Sequence, residues 1–255
     1  RAFFATRGDG DEAFTVRLTT DPALQVLYSM KWAPGETEDE GLISFLARRW
    51  VWDGSVWQVD PASVGLYTIP VHFDADGNAM APEEEPTFVA WFGVFVFVGN
   101  PGAGPYPDMS SYCWSPDRSE IAYSTHPSGP TGGNQLRVLN LASGQTRILA
   151  SPGMNPDWSP DGTKIAFSTY LSGVSRGSID AIRPDGSGRT TIIPADRKSQ
   201  YTHNDPIWSP TGSHLIYYRS IDTSSSDIYR ATSDGRSPTN LTGDYHSDTF
   251  PSAWW

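Results

Sequence analysis

Apolar residues in the second half of the chain come in short runs rather than at helical spacing, and each run is bounded by Ser, Pro, Asp and Gly. Ile121-Ala122-Tyr123, Ile165-Ala166-Phe167 and Leu215-Ile216-Tyr217 each follow such a cluster, and each cluster follows a tryptophan. Short runs of branched and aromatic residues between turn signals read as apolar strands. The segments Cys113–Ser124, Asp157–Ser168 and Ile207–Tyr218 align without gaps, with Trp114, Trp158 and Trp208 standing 44 and 50 residues apart. In the shared Ser-Pro-Asp-Gly pattern, proline presets φ at the second position and glycine accepts φ > 0 at the fourth, so each segment reads as an antiparallel hairpin.

A second hairpin follows in each repeat. After Trp114 it runs from Gln135 to Asn140, turns at Ala142-Ser143-Gly144 and returns from Thr146 to Leu149. The equivalent turns are Pro184-Asp185-Gly186 and Ser233-Asp234-Gly235, the latter after a strand from Asp227 to Ala231. Four short strands per repeat of this length is the pattern of a β-propeller blade, predicting blades at 108–150, 151–196 and 203–242. Phe250 to Trp255 resembles a first strand that stops where the turn should begin. Ala2 to Thr6 resembles the second strand and Glu12 to Leu18 the third. One blade is therefore expected to be shared between 1–27 and 246–255, closing the ring by pairing the ends.

Residues 28–107 depart from the repeat. Met30-Lys31-Trp32-Ala33-Pro34 reads as a first strand and turn, followed by an insertion from Gly35 to Glu40 and strands over Leu42–Trp52, Leu66–Phe73 and Phe88–Val98, with a turn at Asp74–Gly77. The 82 residues from Trp32 to Trp114 fit one blade with long loops or two of ordinary length. Strands are countable for one, which gives a single all-β domain of five blades, with six as the alternative.

Composition agrees with a turn-rich β fold: 24 Gly and 21 Pro, 10 Trp, 11 Tyr and 11 Phe, with only 18% charged residues. The formal net charge of −11 repels phosphate backbones, and no basic stripe offsets it, so nucleic acid is not an expected partner. A single cysteine, Cys113, rules out an internal disulfide framework and a cysteine-based zinc site. The longest apolar-aromatic run, Phe88 to Val98, is too short to cross a bilayer as a helix. The sequence starts at Arg1 without a basic segment leading into an apolar one, so it reads as a processed or trimmed chain.

The repeated Trp-Ser-Pro-Asp-Gly, with its following Ile-Ala-Phe-type strand and later Asp-Gly turn, resembles the repeat of TolB-type β-propellers, which is also found in the propellers of prolyl-oligopeptidase-like enzymes. The three repeats that carry the resemblance span 108–242. It implies a closed propeller located in the periplasm or outside the cell, and a protein partner belonging to an envelope or membrane complex.

Other motifs are weaker than their spelling. Gly173-Val174-Ser175-Arg176-Gly177 has the form of a serine nucleophile elbow but falls in a hairpin loop with no helix after it. Asp74 to Asn78 with Glu85 mimics an EF-hand loop, yet Ala79 stands where glycine is required, and the place is that of an ordinary hairpin turn. Arg7-Gly8-Asp9 and Asn240-Leu241-Thr242 lie where the repeat already demands a turn and a fourth strand.

Two groups remain as candidate sites. In a propeller the polar residues preceding each anchoring tryptophan converge at one mouth of the central channel. Here they are Asn155 and Asp157, His203, Asn204 and Asp205, and His246 and Asp248. Two histidines among carboxylates suit a divalent cation or a general base, and the same residue types also cap turns. No resident cofactor is expected beyond such a cation. The second group is aromatic: Trp50, Trp52, Trp57, Trp91 and Phe95, which either pack between blades or present an anchor for a protein partner.

The leading expectation is a non-catalytic binding or scaffold protein. The rival is a metal-assisted lyase resembling the oligogalacturonate lyases, with His203 and His246 as ligands beside Asp205 or Asp248.

Overall fold

The hairpin turn of the repeat explains itself atom by atom. In the computed structural model, the serine after each tryptophan (Ser115, Ser159, Ser209) uses its hydroxyl to accept the N–H five residues on, at 2.9, 2.9 and 3.1 Å. That hydroxyl in turn donates to the turn aspartate, at 2.6 Å to Asp117 and 2.7 Å to Asp161. These hydroxyl bonds hold both aspartates below the usual carboxylate range. The fourth turn residue lies in the left-handed region, with φ of 72° at Gly162 and 68° at Gly212; in the first repeat Arg118 takes the same conformation at 58°.

Residues 4–6, 15–17, 21–34, 40–74, 80, 84–92, 94–95, 106–107, 109–125, 134–170, 177–195, 201–220 and 226–243 are described. The chain divides into two units, 1–108 and 109–255. Among the described residues there is no α-helix, one short 3₁₀ turn at Pro61–Ser63, and no helix long and apolar enough to cross a membrane.

The first unit contains β1 (Phe4–Thr6), β2 (Thr15–Arg17), β3 (Leu24–Pro34), β4 (Glu40–Trp52), β5 (Trp57–Val59), β6 (Gly65–His72), β7 (Thr87–Trp91), β8 (Val94–Phe95) and β9 (Tyr106–Pro107). β3, β4, β6 and β7 form one antiparallel sheet in that order, with β5 added to the end of β4. Its core joins Leu24, Val26, Ile43, Phe45, Ala47, Tyr67, Ile69 and Val71. The strand expected over Phe88–Val98 is divided, β7 and β8 belonging to different sheets. β1 pairs with β2 in a two-stranded antiparallel sheet, through Phe4↔Arg17 to Thr6↔Thr15. The strand expected at 250–255, the 74–77 turn apart from Asp74, and most of the 173–177 motif lie outside the described residues.

The second unit contains three four-stranded antiparallel sheets, each in chain order. They are β10 (Ser111–Trp114), β11 (Glu120–Ser124), β12 (Leu136–Asn140) and β13 (Thr146–Ala150); β14 (Met154–Trp158), β15 (Ile165–Tyr170), β16 (Gly177–Ile182) and β17 (Thr190–Ile193); and β18 (Thr202–Trp208), β19 (His214–Ser220), β20 (Ser226–Thr232) and β21 (Thr239–Asn240). The repeat sets one register: Trp114 pairs with Ile121, Trp158 with Ile165 and Trp208 with Leu215.

The second strands carry no polar alternation because both of their faces are covered. In β15, Ile165 and Phe167 meet Cys113, Leu136 and Val138 of the first sheet, while Ala166 belongs to the cluster holding Trp208, Leu215 and Tyr217 of the third. Polar ties follow the same stacking. Arg147 on β13 makes a two-pronged pair with Glu120 at 2.7 and 2.8 Å and donates to the Pro184 carbonyl of the second sheet at 2.8 Å. This pair holds the Glu120 carboxyl below its usual range. Together, three stacked four-stranded sheets in repeat register are consistent with β-propeller blades.

Two outcomes are expected. A Cβ at Gly235, where φ is +81°, would overlap the Ile192 carbonyl, whereas at Gly162 it would meet only Pro116 Cγ at 4.0 Å. Gly235→Ala should therefore lower unfolding free energy by about 2 kcal/mol or more and Gly162→Ala by about 1 kcal/mol, read from urea titrations. Because the folded pKa of Glu120 is depressed, its pairing stabilises the fold above the ordinary glutamate pKa, and that stability is lost as pH falls through the lowered value. Wild type should exceed Glu120→Gln in urea midpoint at pH 7, and the two should converge in acid. A constant gap across pH would show that the charge on Glu120 contributes nothing.

Candidate functional site

Three of the four strands that carry a repeat tryptophan at or near their end among the described residues, β3, β10, β14 and β18, have a bulge at the same place. The register slips between Tyr28 and Lys31 in β3, Met154 and Asp157 in β14, and Asn204 and Ile207 in β18, always spanning the residue three before the tryptophan. In β14 and β18 that residue is Asn155 and Asp205, both left-handed with φ of 49° and 52°. Asparagine and aspartate tolerate this region better than other non-glycine residues. These two bulges are anchored by the preceding sheet: Ser124 Oγ accepts the Asn155 N–H at 3.3 Å, and Ser168 Oγ accepts the Asp205 N–H at 2.9 Å. β10 has no bulge, and its Ser111 hydroxyl instead meets Ser124 Oγ at 2.6 Å.

The bulges bring several expected site residues together. Asn155 Nδ2 donates to Asp205 Oδ1 across two neighbouring sheets. Asp157 Oδ2 accepts the backbone N–H of Trp208 at 2.7 Å. These partners lie in the adjoining sheet rather than in the residue's own turn. Asn204 donates to the Tyr170 hydroxyl, whose pKa burial pushes up. His203 is 6% exposed and stands edge-on to Tyr217 at 5.6 Å. Tyr217 stacks on Tyr229 at 5.8 Å, and its own pKa is pushed up to about 12 by burial. Arg219 completes this side, its guanidinium 3.6 Å from the Tyr201 ring centroid and 5.0 Å from that of Tyr229. Sequence reasoning passed over Arg219 and Tyr229, though both stand at alternate positions with Tyr217 and Asp227 along paired strands.

His246 and Asp248 lie outside the described residues. Among the described residues, no three His, Cys, Asp or Glu side chains come together as a metal site. The chemistry on view at the first strands is a polar seam of amide, carboxylate and hydroxyl groups bonded from one sheet to the next.

The aromatic group has a different character. β4 runs past the end of β6, and its last three residues pair with β5, Trp50↔Val59, Val51↔Gln58 and Trp52↔Trp57. Asp53 closes this hairpin by accepting the N–H groups of Ser55 and Val56 at 2.8 and 2.9 Å, which hold its pKa below the usual range. Trp52 and Trp57 stand 5.8 Å apart across the hairpin and are 54% and 61% exposed. Trp91 on β7 is 56% exposed. Phe95 lies in β8, paired with Tyr106. Trp50 is half-buried, and its indole N–H donates to Gln25 Oε1 at 2.9 Å. Inter-blade packing thus does not account for Trp52, Trp57 or Trp91.

Asp157→Ala removes the acceptor of a partly buried backbone N–H and should cost about 1–3 kcal/mol in urea unfolding. Asp157→Asn keeps a carbonyl acceptor and should lose less than half of that. Equal losses would show that the Trp208 contact is not what Asp157 contributes.

No protein-family model matches the chain, and no curated protein sequence matches it. Solved structures do. One, a TolB-assigned protein from Agrobacterium tumefaciens, is 17% identical over 84% of this chain and 79% of its own, with a TM-score of 0.51. Another, an oligogalacturonate lyase from Vibrio parahaemolyticus, is 12% identical over 94% of this chain and 62% of its own, with a TM-score of 0.50. The chain thus spans less than two thirds of that lyase. At these identities the likeness is one of fold, and it supports a TolB-like β-propeller architecture for this chain.

Proposed function

We propose that this chain is a non-catalytic, TolB-like propeller that acts as a protein-binding or scaffold subunit, docking on an envelope or membrane-associated complex in the periplasm or outside the cell. Its ring is a single domain of five blades, with the terminal strands 1–27 and 246–255 sharing one. The observation that carries the reading is the β4–β5 hairpin, an extension beyond the blade that holds Trp52 and Trp57 in water. Paired exposed tryptophans have a solvation cost that an interface removes, and tryptophan is the residue most enriched among binding hot spots. The polar seam supports the same reading, since Asn155, Asp205 and Asp157 are bonded across sheets in a way that suits holding the sheets together.

The test is site-specific photo-cross-linking in the producing cells. Benzoylphenylalanine at position 52 should give a discrete adduct with another protein. The same group at Ile148, 57% exposed on β13, should not give that adduct. Absence of any protein adduct from position 52 would overturn the scaffold reading.

A further inference from the structure

Beside the hairpin lies an apolar cleft of about 290 Å³, lined by Pro22, Ala23, Trp50 and Trp57. That volume is at the lower limit of small-molecule pockets and suits one or two side chains of a protein segment. One wall is fixed: Gln25 Oε1 accepts from Trp50 Nε1 at 2.9 Å and from Arg48 Nε at 2.8 Å, and the Arg48 guanidinium sits 5.5 Å from the Trp50 ring centroid. The other wall, Trp57, faces water together with Trp52.

The charges around the cleft are asymmetric. Among the described residues, the two arginines beside it are already engaged within the chain. Arg48 is 4% exposed and bound to Gln25, and Arg49 pairs with Asp21 at 2.6 Å. Its two other carboxylates accept backbone N–H groups rather than cations among the described residues, Asp53 from Ser55 and Val56, and Asp60 from Ala62 at 3.0 Å. With Arg48 buried and Arg49 paired to Asp21, the charges that the hairpin turns to water beside its indole faces are the Asp53 and Asp60 carboxylates, on a chain whose overall charge is −11. Exposed indole faces attract cations electrostatically, and a carboxylate beside them strengthens the attraction. The whole-chain field draws cationic partners toward the surface.

We propose that this cleft takes a basic segment of a partner protein, with an Arg or Lys side chain lying on the exposed Trp57 and Trp52 rings near Asp53 and an adjacent apolar residue filling the space between Trp50 and Trp57. This rests on the protein-binding reading above and names the chemistry of its partner. A saccharide is disfavoured because the lining is apolar and lacks the polar groups that fix sugar hydroxyls. An anionic lipid surface is disfavoured because Asp53 stands at the hairpin tip.

The experiment is a random dodecapeptide display selection on the purified chain, run in parallel on Trp57→Ala. Both baits are first checked for equal far-UV circular dichroism and urea midpoint, which the exposure of Trp57 makes the expected result. Sequences that bind wild type and are lost on Trp57→Ala should carry net positive charge flanking an apolar or aromatic residue. One such peptide, titrated calorimetrically, should bind Trp57→Ala about tenfold or more weakly. It should bind Asp53→Asn about twofold to fivefold more weakly and weaken in 0.5 M salt. The proposal falls if the discriminated sequences are neutral or acidic, or if none discriminates the two baits. It also falls if phosphatidylglycerol vesicles or cellohexaose bind through Trp57 more tightly than the selected peptide. A cross-link from position 52 alongside an acidic preference would remove only this inference; the absence of any cross-link would remove the scaffold reading beneath it.

Discussion

A four-stranded sheet with two apolar faces cannot stand alone in water, and this constraint organises the second unit. β15 shows it most plainly: Ile165 and Phe167 need the first sheet, and Ala166 needs the third. Phe167 is fully buried, and removing a ring from such a place costs about 3–5 kcal/mol. Close stacking then dictates details that look independent. Gly235 must lack a side chain because the Ile192 carbonyl of the neighbouring sheet approaches it, and Arg147 reaches from its own Glu120 to the carbonyl of Pro184. Even the left-handed bulges serve the same end, since their N–H groups point to serines of the preceding sheet.

The first unit breaks that pattern in one place. Its sheet buries an ordinary core around Phe45, Tyr67 and Ile69, but β4 continues beyond the strands that cover it and folds back as the β4–β5 hairpin. Local chemistry still stabilises the hairpin: Asp53 closes the turn, Ser63 accepts the Arg49 N–H at 2.8 Å, and Asp60 caps the following 3₁₀ turn. A well-built element that exposes its largest apolar side chains is a conflict between local order and global burial, and such conflicts concentrate where a protein acts.

The hairpins of the three repeat sheets were readable in the sequence because their determinants are local. A serine, a proline and an aspartate within a few residues of a tryptophan close the turn by themselves, so the Trp158↔Ile165 register could be read off before any contact between sheets was known. The bulges were hidden because a slip of one residue depends on the partner sheet; the only trace is the Asn or Asp at Asn155 and Asp205, three before the tryptophan in each case. β5 was hidden because a three-residue strand has no pattern of its own and exists only as the complement of Trp50–Trp52. The sequence offered the first-strand polar residues as one group, but bonding from sheet to sheet, as in Asp157 to Trp208, requires knowing which sheet follows which.

Among the described residues, five indoles stand in two contrasting environments. Trp158 and Trp208 are sealed between sheets, whereas Trp52, Trp57 and Trp91 stand largely in water. Emission from the first pair lies toward the blue and from the exposed group toward the red. Loss of sheet stacking would move the spectrum one way, and coverage of the hairpin would move it the other. Opening of the stacked sheets and closure over the hairpin therefore carry opposite colours in a single unlabelled chain.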